Sequence, residues 1–101
     1  MVQEITDVTQ IPTGGKVVLD FYATWCGPCK RIAPMFKELA EKYPTIQFFK
    51  VDVDEAQDVS ESFSVESLPT FVFLNNGNVV GRVEGADFNN LLSLLDKLEK
   101  V

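Results

Sequence analysis

Residues 16–23 form an almost unbroken apolar run of strand length, and the chain passes from it directly into a helical pattern. Such a run suits a strand covered on both faces, in the middle of a parallel or mixed sheet. Over residues 29–43 the apolar positions fall three and four apart, as in an amphipathic helix, and Pro44 ends the pattern. The predicted apolar stripe comprises Ile32, Met35, Phe36, Leu39, Ala40 and Tyr43. A buried strand followed by such a helix predicts a sheet with helices packed against it.

The rest of the chain continues this alternation of strands and helices. Asn76 and Gly77 are a strong hairpin signal between two short strands. Asp54 is expected to cap the short helix that follows the second buried strand. The remaining predicted elements are strands at residues 2–5, 46–53, 70–74 and 78–83, and helices before residue 12, at 55–63 and at 87–100.

The order of these elements predicts an α/β fold. Strands joined through helical crossovers should be parallel, whereas the last two, joined by a tight turn, should be antiparallel. We therefore expect residues 1–101 to form a single domain. It should be a three-layer sandwich with a mixed central sheet of about five strands, flanked by about four helices.

Composition excludes several classes of function. Fifteen acidic against nine basic residues give a net charge of −6, which disfavours binding to nucleic acid or to an anionic membrane surface. The chain has no histidine, so neither a Ser-His-Asp triad nor a Cys-His pair can form. Two cysteines are too few for a structural zinc site, which needs four Cys or His ligands. We therefore expect no bound metal.

Two further absences bear on location. No apolar stretch is long enough for a membrane-spanning helix. The N-terminal segment contains Glu4 and Asp7 and lacks both a basic start and an apolar run, which disfavours a signal peptide. We expect a cytoplasmic protein, with an organelle form that has lost a leader as the alternative.

Both cysteines lie in the hexapeptide WCGPCK at residues 25–30, where the buried strand meets the long helix. A C-x-x-C pair at this point of a βαβ pattern indicates a redox pair. Unpaired N–H groups and the positive dipole at a helix N-terminus favour a thiolate, and Cys26 lies at that end. Lys30 and Arg31 add positive potential nearby. Cys29 lies one turn further in, so it should be the less exposed sulfur and Cys26 the nucleophile.

A disulfide that merely braces the fold would be a different use of the same two cysteines. Closing so short a ring contributes only about 2 kcal/mol, against about 4.7 kcal/mol for a 100-residue loop, so the pair would be a weak brace. The cysteines could also be two incidental buried residues, or half of a metal site completed by a second chain. Pro28 stiffens the turn and lies in the first helical turn, where its missing N–H costs least.

The segment DFYATWCGPCK at residues 20–30 resembles the active-site signature of the thioredoxin family. The similarity extends in order and spacing over essentially the whole chain, through the segments at 50–52, 68–70 and 76–77 and through Gly85. It implies a thioredoxin-like fold and a general protein disulfide reductase, in which Cys26 attacks and Cys29 resolves. Such a protein donates electrons to target proteins and maintains redox homeostasis. A thioredoxin reductase, linked to NADPH or ferredoxin, would supply the reducing equivalents, and no cofactor would be bound.

The resemblance also implies residues that tune the activity. Asp20, the one carboxylate in the apolar strand, is implied to be buried and to relay a proton to or from Cys29. A carboxylate turned to solvent is the alternative. Lys50 is implied to lie near Asp20, with a simply solvated lysine as the alternative. Gly27 and Pro28 complete this implied set.

A second implied set forms a substrate-docking rim around Cys26. The Leu68–Pro69 bond is implied to be cis, and the backbone beside it to hold an extended substrate segment by strand pairing. Glu84 departs from the small or apolar residue that is frequent there in the family, which leaves the preferred partners open. The rim residues are Trp25, Gly27, Pro28, Leu68, Pro69, Thr70, Gly85 and Ala86. Disulfide-containing proteins are the expected substrates. The lack of further cysteines predicts no second disulfide and no covalent dimer, and we expect a monomer.

Two competing functions fit the same fold. An oxidase or isomerase of the secretory pathway is disfavoured by the absence of a signal peptide and by Pro28, where such enzymes usually carry His. A higher reduction potential, near that of the glutathione pool, would support it. A non-catalytic binding subunit or chaperone is the second competing function. It predicts that a variant lacking both cysteines keeps full biological activity.

Overall fold

Five strands and three α-helices make up the fold of residues 1–101, all of which a computed structural model describes. The strands are β1 (Val2–Glu4), β2 (Lys16–Tyr22), β3 (Ile46–Asp52), β4 (Thr70–Asn75) and β5 (Asn78–Glu84). The helices are α1 (Gly27–Lys42), α2 (Gln57–Ser62) and α3 (Phe88–Glu99), and one turn of 3-10 helix covers Val8–Gln10. None of the helices is both long enough and apolar enough to cross a membrane.

The strands form one mixed sheet in the order β1-β3-β2-β4-β5. The first three neighbours, β1, β3 and β2, run parallel, while β4 is antiparallel to β2 and β5 is antiparallel to β4. The sequence-based prediction of a mixed sheet with a terminal hairpin is therefore confirmed. β2 lies at the centre, and its five inner residues are all buried, as its apolar run predicted.

Two apolar clusters cover the two faces of the sheet. On one face α1 and α3 pack through residues such as Ile32, Phe36 and Leu95. On the other face α2 packs through Val59 beside residues of the strands and Ile5. Since alternate residues of a strand share a face, Asp20 lies on the same face as Val18, beneath α1.

The number of helices differs from the prediction. The expected first helix is a single 3-10 turn, closed by an Asp7 capping box and ended by Ile11 in an extended conformation. Pro12 explains this end, because a residue before proline is disfavoured in the helical region. The long helix begins at Gly27, two residues earlier than expected.

Two predictions on individual side chains were wrong. Asp54 does not cap α2, because Ala56 occupies the N-cap position and the carboxylate of Asp54 accepts a hydrogen bond from Trp25 instead. Met35 is 44% exposed rather than part of the buried stripe. It lies about a quarter of a turn from the centre of the stripe that packs on the sheet.

Candidate active site

The cysteine pair lies where β2 ends and α1 begins. Cys26 is the N-cap residue of α1, with an extended backbone, and Pro28 occupies the first helical turn. The two sulfurs are joined in a disulfide, with the Cα atoms 5.3 Å apart. The backbone N–H of Cys29 donates a hydrogen bond of 3.2 Å to the Sγ atom of Cys26. The Cys26 sulfur thus accepts one of the free N–H groups at the start of the helix.

This position favours a thiolate once the disulfide is opened. The positive end of the helix dipole and the Cys29 N–H both stabilise negative charge on the Cys26 sulfur. Lys30 and Arg31 are exposed on the first turns of α1 and carry no ion-pair partner within 4 Å. Cys26 and Cys29 are 6% and 4% exposed. Cys29 is thus the less exposed of the two, as expected, but the difference in exposure is small in the oxidised state.

The loop that precedes β4 packs against the disulfide. Leu68 contacts the small apolar cluster of Ala23, Cys26 and Cys29. The Leu68–Pro69 peptide bond is cis, which confirms the expectation from the family resemblance. The backbone N–H and C=O of Leu68 make no backbone hydrogen bond. The loop therefore presents one unpaired donor and one unpaired acceptor beside the sulfurs.

The other loop of the rim follows β5. Gly85 has a positive φ of 94°, and its N–H donates a 2.8 Å hydrogen bond to the carbonyl oxygen of Pro69. Ala86 is exposed, whereas Pro69 and Thr70 are buried. The Thr70 hydroxyl donates to the carbonyl oxygen of Ser67. Pro69 and Thr70 thus support the rim from beneath rather than form its outer surface.

Trp25 is the most prominent apolar side chain of the rim. It is 68% exposed, and its Nε1 donates a 2.8 Å hydrogen bond to Oδ2 of Asp54. Asp54 is held in turn by its own N–H, which donates to Oδ1 of Asp52. The loop after β3 therefore fixes the direction of the indole. Gly27 is exposed and Pro28 half-buried on the same helical turn.

Asp20 is buried beneath the cysteine pair. It is 5% exposed, and its Oδ1 atom has no hydrogen-bond partner. Burial raises the pKa of Asp20 to about 7, an effect that the Lys50 ammonium opposes and the Glu4 carboxylate reinforces. A cavity of about 260 Å³ is lined by both Asp20 and Cys29. The carboxyl and the inner sulfur thus share one small space, which can hold the water needed to pass a proton between them.

Lys50 lies beside Asp20, but its ammonium forms an ion pair with Glu4. Lys50 and Asp20 are register partners on β3 and β2. The Nζ atom of Lys50 is 3.7 Å from Oε1 of Glu4 and 5.5 Å from the ring centroid of Tyr22. The Tyr22 hydroxyl donates to the Glu4 carboxylate at 3.0 Å.

Glu4, Tyr22 and Asp54 are members of the site that the sequence patterns did not indicate. Glu4 and Tyr22 form a polar cluster around the Lys50 ammonium, and Asp54 orients Trp25. Glu4 lies on a strand of only three residues, too short for a strong sequence signal. The one available sign for Asp54 was that acidic residues, Asp52 and Asp54, occur where a buried strand passes into a loop.

The remaining acidic residues form no metal centre. No three Asp, Glu, Cys or His side chains lie close enough together to bind a metal ion. The reactive groups of the site are the two sulfurs and the buried carboxyl of Asp20.

Comparisons with known proteins agree with this geometry. The family described as Thioredoxin matches residues 5–99. Thioredoxin H5 of Arabidopsis thaliana is 54% identical over 70 residues, and Thioredoxin-1 of Caenorhabditis elegans is 55% identical over 69 residues. These regions cover 69% and 68% of this chain, and only 59% and 60% of the two relatives.

Solved structures match over nearly the whole chain. The thioredoxin of Malassezia sympodialis has a TM-score of 0.92 and 39% identity, covering 98% of this chain and 91% of that one. Oxidised mitochondrial thioredoxin 3 of Saccharomyces cerevisiae has a TM-score of 0.91 and 38% identity, covering 96% and 95%. The fold class predicted from the sequence is therefore confirmed.

Proposed function

Because this chain belongs to the thioredoxin family, we propose that it is a general protein disulfide reductase. The observation that carries the proposal is the disulfide between Cys26, the N-cap of α1, and Cys29 one turn further along. A helix N-terminus stabilises the thiolate that disulfide exchange requires. The two sulfurs are bonded to each other, and the chain has no third cysteine that could compete for them.

The reaction begins from the reduced pair. The Cys26 thiolate attacks one sulfur of a substrate disulfide, that S–S bond breaks, and the first substrate sulfur leaves as a thiolate. Cys29 then loses its proton and attacks the Cys26 sulfur of the mixed disulfide. The second substrate sulfur leaves, and the Cys26–Cys29 disulfide forms. Two electrons pass from the pair to the substrate, which gains two protons in becoming a dithiol.

Asp20 is the proposed base for the second step. Its carboxylate form would accept the Cys29 proton through the cavity that both residues line. A group that titrates near neutral pH is suited to this task, and burial raises the pKa of Asp20 into that range. Lys50, Gly27 and Pro28 would tune the activity, the first through its charge and the other two through the shape of the turn.

The rim supplies the proposed docking surface. An extended substrate segment would pair with the unpaired N–H and C=O of Leu68, which places its disulfide against Cys26. Trp25 and Ala86, which are both exposed, would contact the substrate, and Gly85 would hold the loop that contains Pro69 in place through its hydrogen bond to the Pro69 carbonyl oxygen. Pro69 and Thr70 would fix the loop beneath the substrate.

Membership of the thioredoxin family also supports a wider role in cellular disulfide exchange, which we propose as well. The oxidised pair would be recycled by a thioredoxin reductase, and the partners would be proteins with accessible disulfides, in support of redox homeostasis. The chain would act as a monomer and a single domain, in the cytoplasm, without a bound cofactor or nucleic acid. The similarity to several plant H-type thioredoxins supports the role in disulfide reduction.

An insulin-reduction assay with dithiothreitol tests the activity directly. The wild-type chain should accelerate the reduction, and Cys26→Ser should abolish the acceleration. A reduction potential near that of the glutathione pool, or above it, would indicate an oxidase or isomerase instead. Full biological activity of a Cys26→Ser, Cys29→Ser double variant would contradict the proposal and indicate a non-catalytic role.

Trapping of mixed disulfides tests the assignment of the two sulfurs. Cys29→Ser should capture protein partners from a lysate, because the mixed disulfide on Cys26 then has no resolving thiol. Cys26→Ser is the matched control and should capture none. Capture by Cys26→Ser alone would show that the roles of the sulfurs are reversed.

A further inference from the structure

Three charged side chains lie side by side across three adjacent strands beneath the active site. Glu4 on β1 is the register partner of Lys50 on β3, and Lys50 is the register partner of Asp20 on β2. Register partners in a parallel sheet project to the same face, so the three side chains form one row. The cation lies in the middle, and either carboxyl group can compete for it.

The contacts in this row favour Glu4. The Lys50 ammonium is 3.7 Å from Oε1 of Glu4, and no ion pair within 4 Å joins it to Asp20. Tyr22 reinforces this arrangement, because its hydroxyl donates to both oxygens of Glu4 at 3.0 Å and its ring lies 5.5 Å from the ammonium. On the other side of the row, Oδ1 of Asp20 is buried without a partner.

We propose that Glu4 is a positioning residue for proton transfer at Asp20, because it holds the Lys50 ammonium at the rim of the cavity and away from the buried carboxyl. This inference rests on the proposed reductase function, in which Asp20 handles the proton of Cys29. An ammonium within hydrogen-bond reach of Asp20 would stabilise the carboxylate and make it a weaker base. By retaining the cation, Glu4 keeps Asp20 able to take up a proton near neutral pH.

The other charged groups around Asp20 do not share this role. On β4 its register partner is Phe71, which has no charge. Besides the 260 Å³ cavity, Asp20 lines a second, larger cavity of about 770 Å³ that is bordered by residues of β1, β3 and α1. The titratable groups that face Asp20 or line these two cavities are Met1 with its α-ammonium, Glu4 from β1, Lys50 from β3, Tyr22 from β2, and Cys29, Lys30, Lys37 and Glu41 from α1. Of these, only Glu4 and Lys50 form an ion pair with each other. Glu4 is therefore the group that determines where the nearest cation lies.

Glu4→Gln is the direct test, because it removes the charge and keeps an oxygen for the Tyr22 hydroxyl. The released ammonium should move toward Asp20 and lower its titration midpoint by about one pH unit. Carboxyl carbon NMR of the reduced protein would measure that midpoint. The pH profile for resolution of a mixed disulfide by Cys29 should move in the same direction. A midpoint unchanged by Glu4→Gln would overturn the proposal.

A double-mutant cycle separates positioning from direct charge repulsion. Lys50→Met removes the cation, so Glu4→Gln should have little effect on Asp20 in that background if Glu4 acts through Lys50. Equal shifts in both backgrounds would show that Glu4 acts directly and would overturn the positioning role. Glu41→Gln is the matched control, since Glu41 lines the larger cavity but forms no ion pair. Its shift should be smaller than that of Glu4→Gln.

These measurements distinguish this inference from the proposed function. The titration of Asp20 is read directly and requires no substrate or reductase. An expected shift in a chain that does not reduce insulin would retain the Glu4 role and reject the function. A chain that reduces insulin but shows no shift in the Asp20 midpoint would retain the function and reject the Glu4 role. Glu4→Asp, which keeps an anion opposite Lys50, should restore most of the wild-type titration and excludes a merely structural effect.

Discussion

The backbone N–H of Gly85 donates a 2.8 Å hydrogen bond to the carbonyl oxygen of Pro69, which ties the end of β5 to the loop that contacts the disulfide. Gly85 makes this bond with φ at 94°, a conformation that residues with a Cβ atom rarely adopt. A Cβ atom at this position would meet nothing within 4 Å. The requirement for glycine is therefore conformational and not a matter of space.

Gly85→Ala should consequently lower the free energy of unfolding by about 1–2 kcal/mol. It should also raise the KM for insulin, because the loop that holds Pro69 relaxes. Gly14→Ala is the control, since Gly14 has no positive φ and a Cβ there also meets nothing within 4 Å. Urea denaturation would compare the two, and equal losses would contradict the conformational explanation.

Asp20 should make the protein less stable as the pH rises. Its pKa is raised by burial from 3.8 to about 7, so between these values the folded chain keeps a proton that the unfolded chain has lost. Stability therefore falls as pH rises through that window, by about 4 kcal/mol at most, and changes no further above it. Asp20→Asn does not titrate, so it should be more stable than the wild type above about pH 8 and similar to it below about pH 4.

Urea denaturation across this pH range measures the difference. Asp7→Asn provides a contrast, because hydrogen bonds from Thr9 lower the pKa of Asp7 and make its charged form favourable. That variant should lose stability at neutral pH rather than gain it. A flat difference between Asp20→Asn and the wild type at all pH values would show that Asp20 does not titrate as the structure indicates.

Arg82 connects β5 to the end of α2. Its Nη1 and Nη2 atoms donate to the carbonyl oxygens of Phe63 and Ser64 at 2.6 and 2.8 Å. Lysine cannot make this forked contact, so Arg82→Lys should cost about 1–2 kcal/mol in unfolding free energy. Glu84→Gln breaks only the 3.3 Å ion pair with Arg82 and should cost less than about 0.5 kcal/mol. Similar losses in both variants would assign the stabilisation to the ion pair instead.

Trp25 should matter for binding and little for stability. Its ring is 68% exposed and makes one side-chain hydrogen bond, to Asp54. Trp25→Ala should raise the KM for insulin several-fold, leave kcat nearly unchanged and cost about 1 kcal/mol or less in unfolding free energy. Val79→Ala, at an exposed apolar residue near the start of β5, is the control and should leave the KM unchanged. A reduced kcat with an unchanged KM would mean that Trp25 does not act in docking.

Most elements of the fold could be predicted from local patterns. The centre of β2, the stripe of α1 and the hairpin at Asn76 and Gly77 each follow from residue spacing or turn chemistry within one segment. The error at the cap of α2 arose because a second segment of the chain competes for the capping residue. Asp54 was free to cap α2, but the indole of Trp25, 29 residues away, takes its carboxylate.

The redox pair could be identified from the amino-acid sequence alone, because its spacing, its neighbours and the strand-to-helix junction all lie within a few consecutive residues. How protons and substrates reach that pair depends on the tertiary fold. Glu4, Lys50 and Asp20 become neighbours through the register of three strands, and Gly85 reaches Pro69 through the β4–β5 pairing. Such contacts depend on how distant segments pack against one another, and no local periodicity encodes which carboxylate a lysine will face.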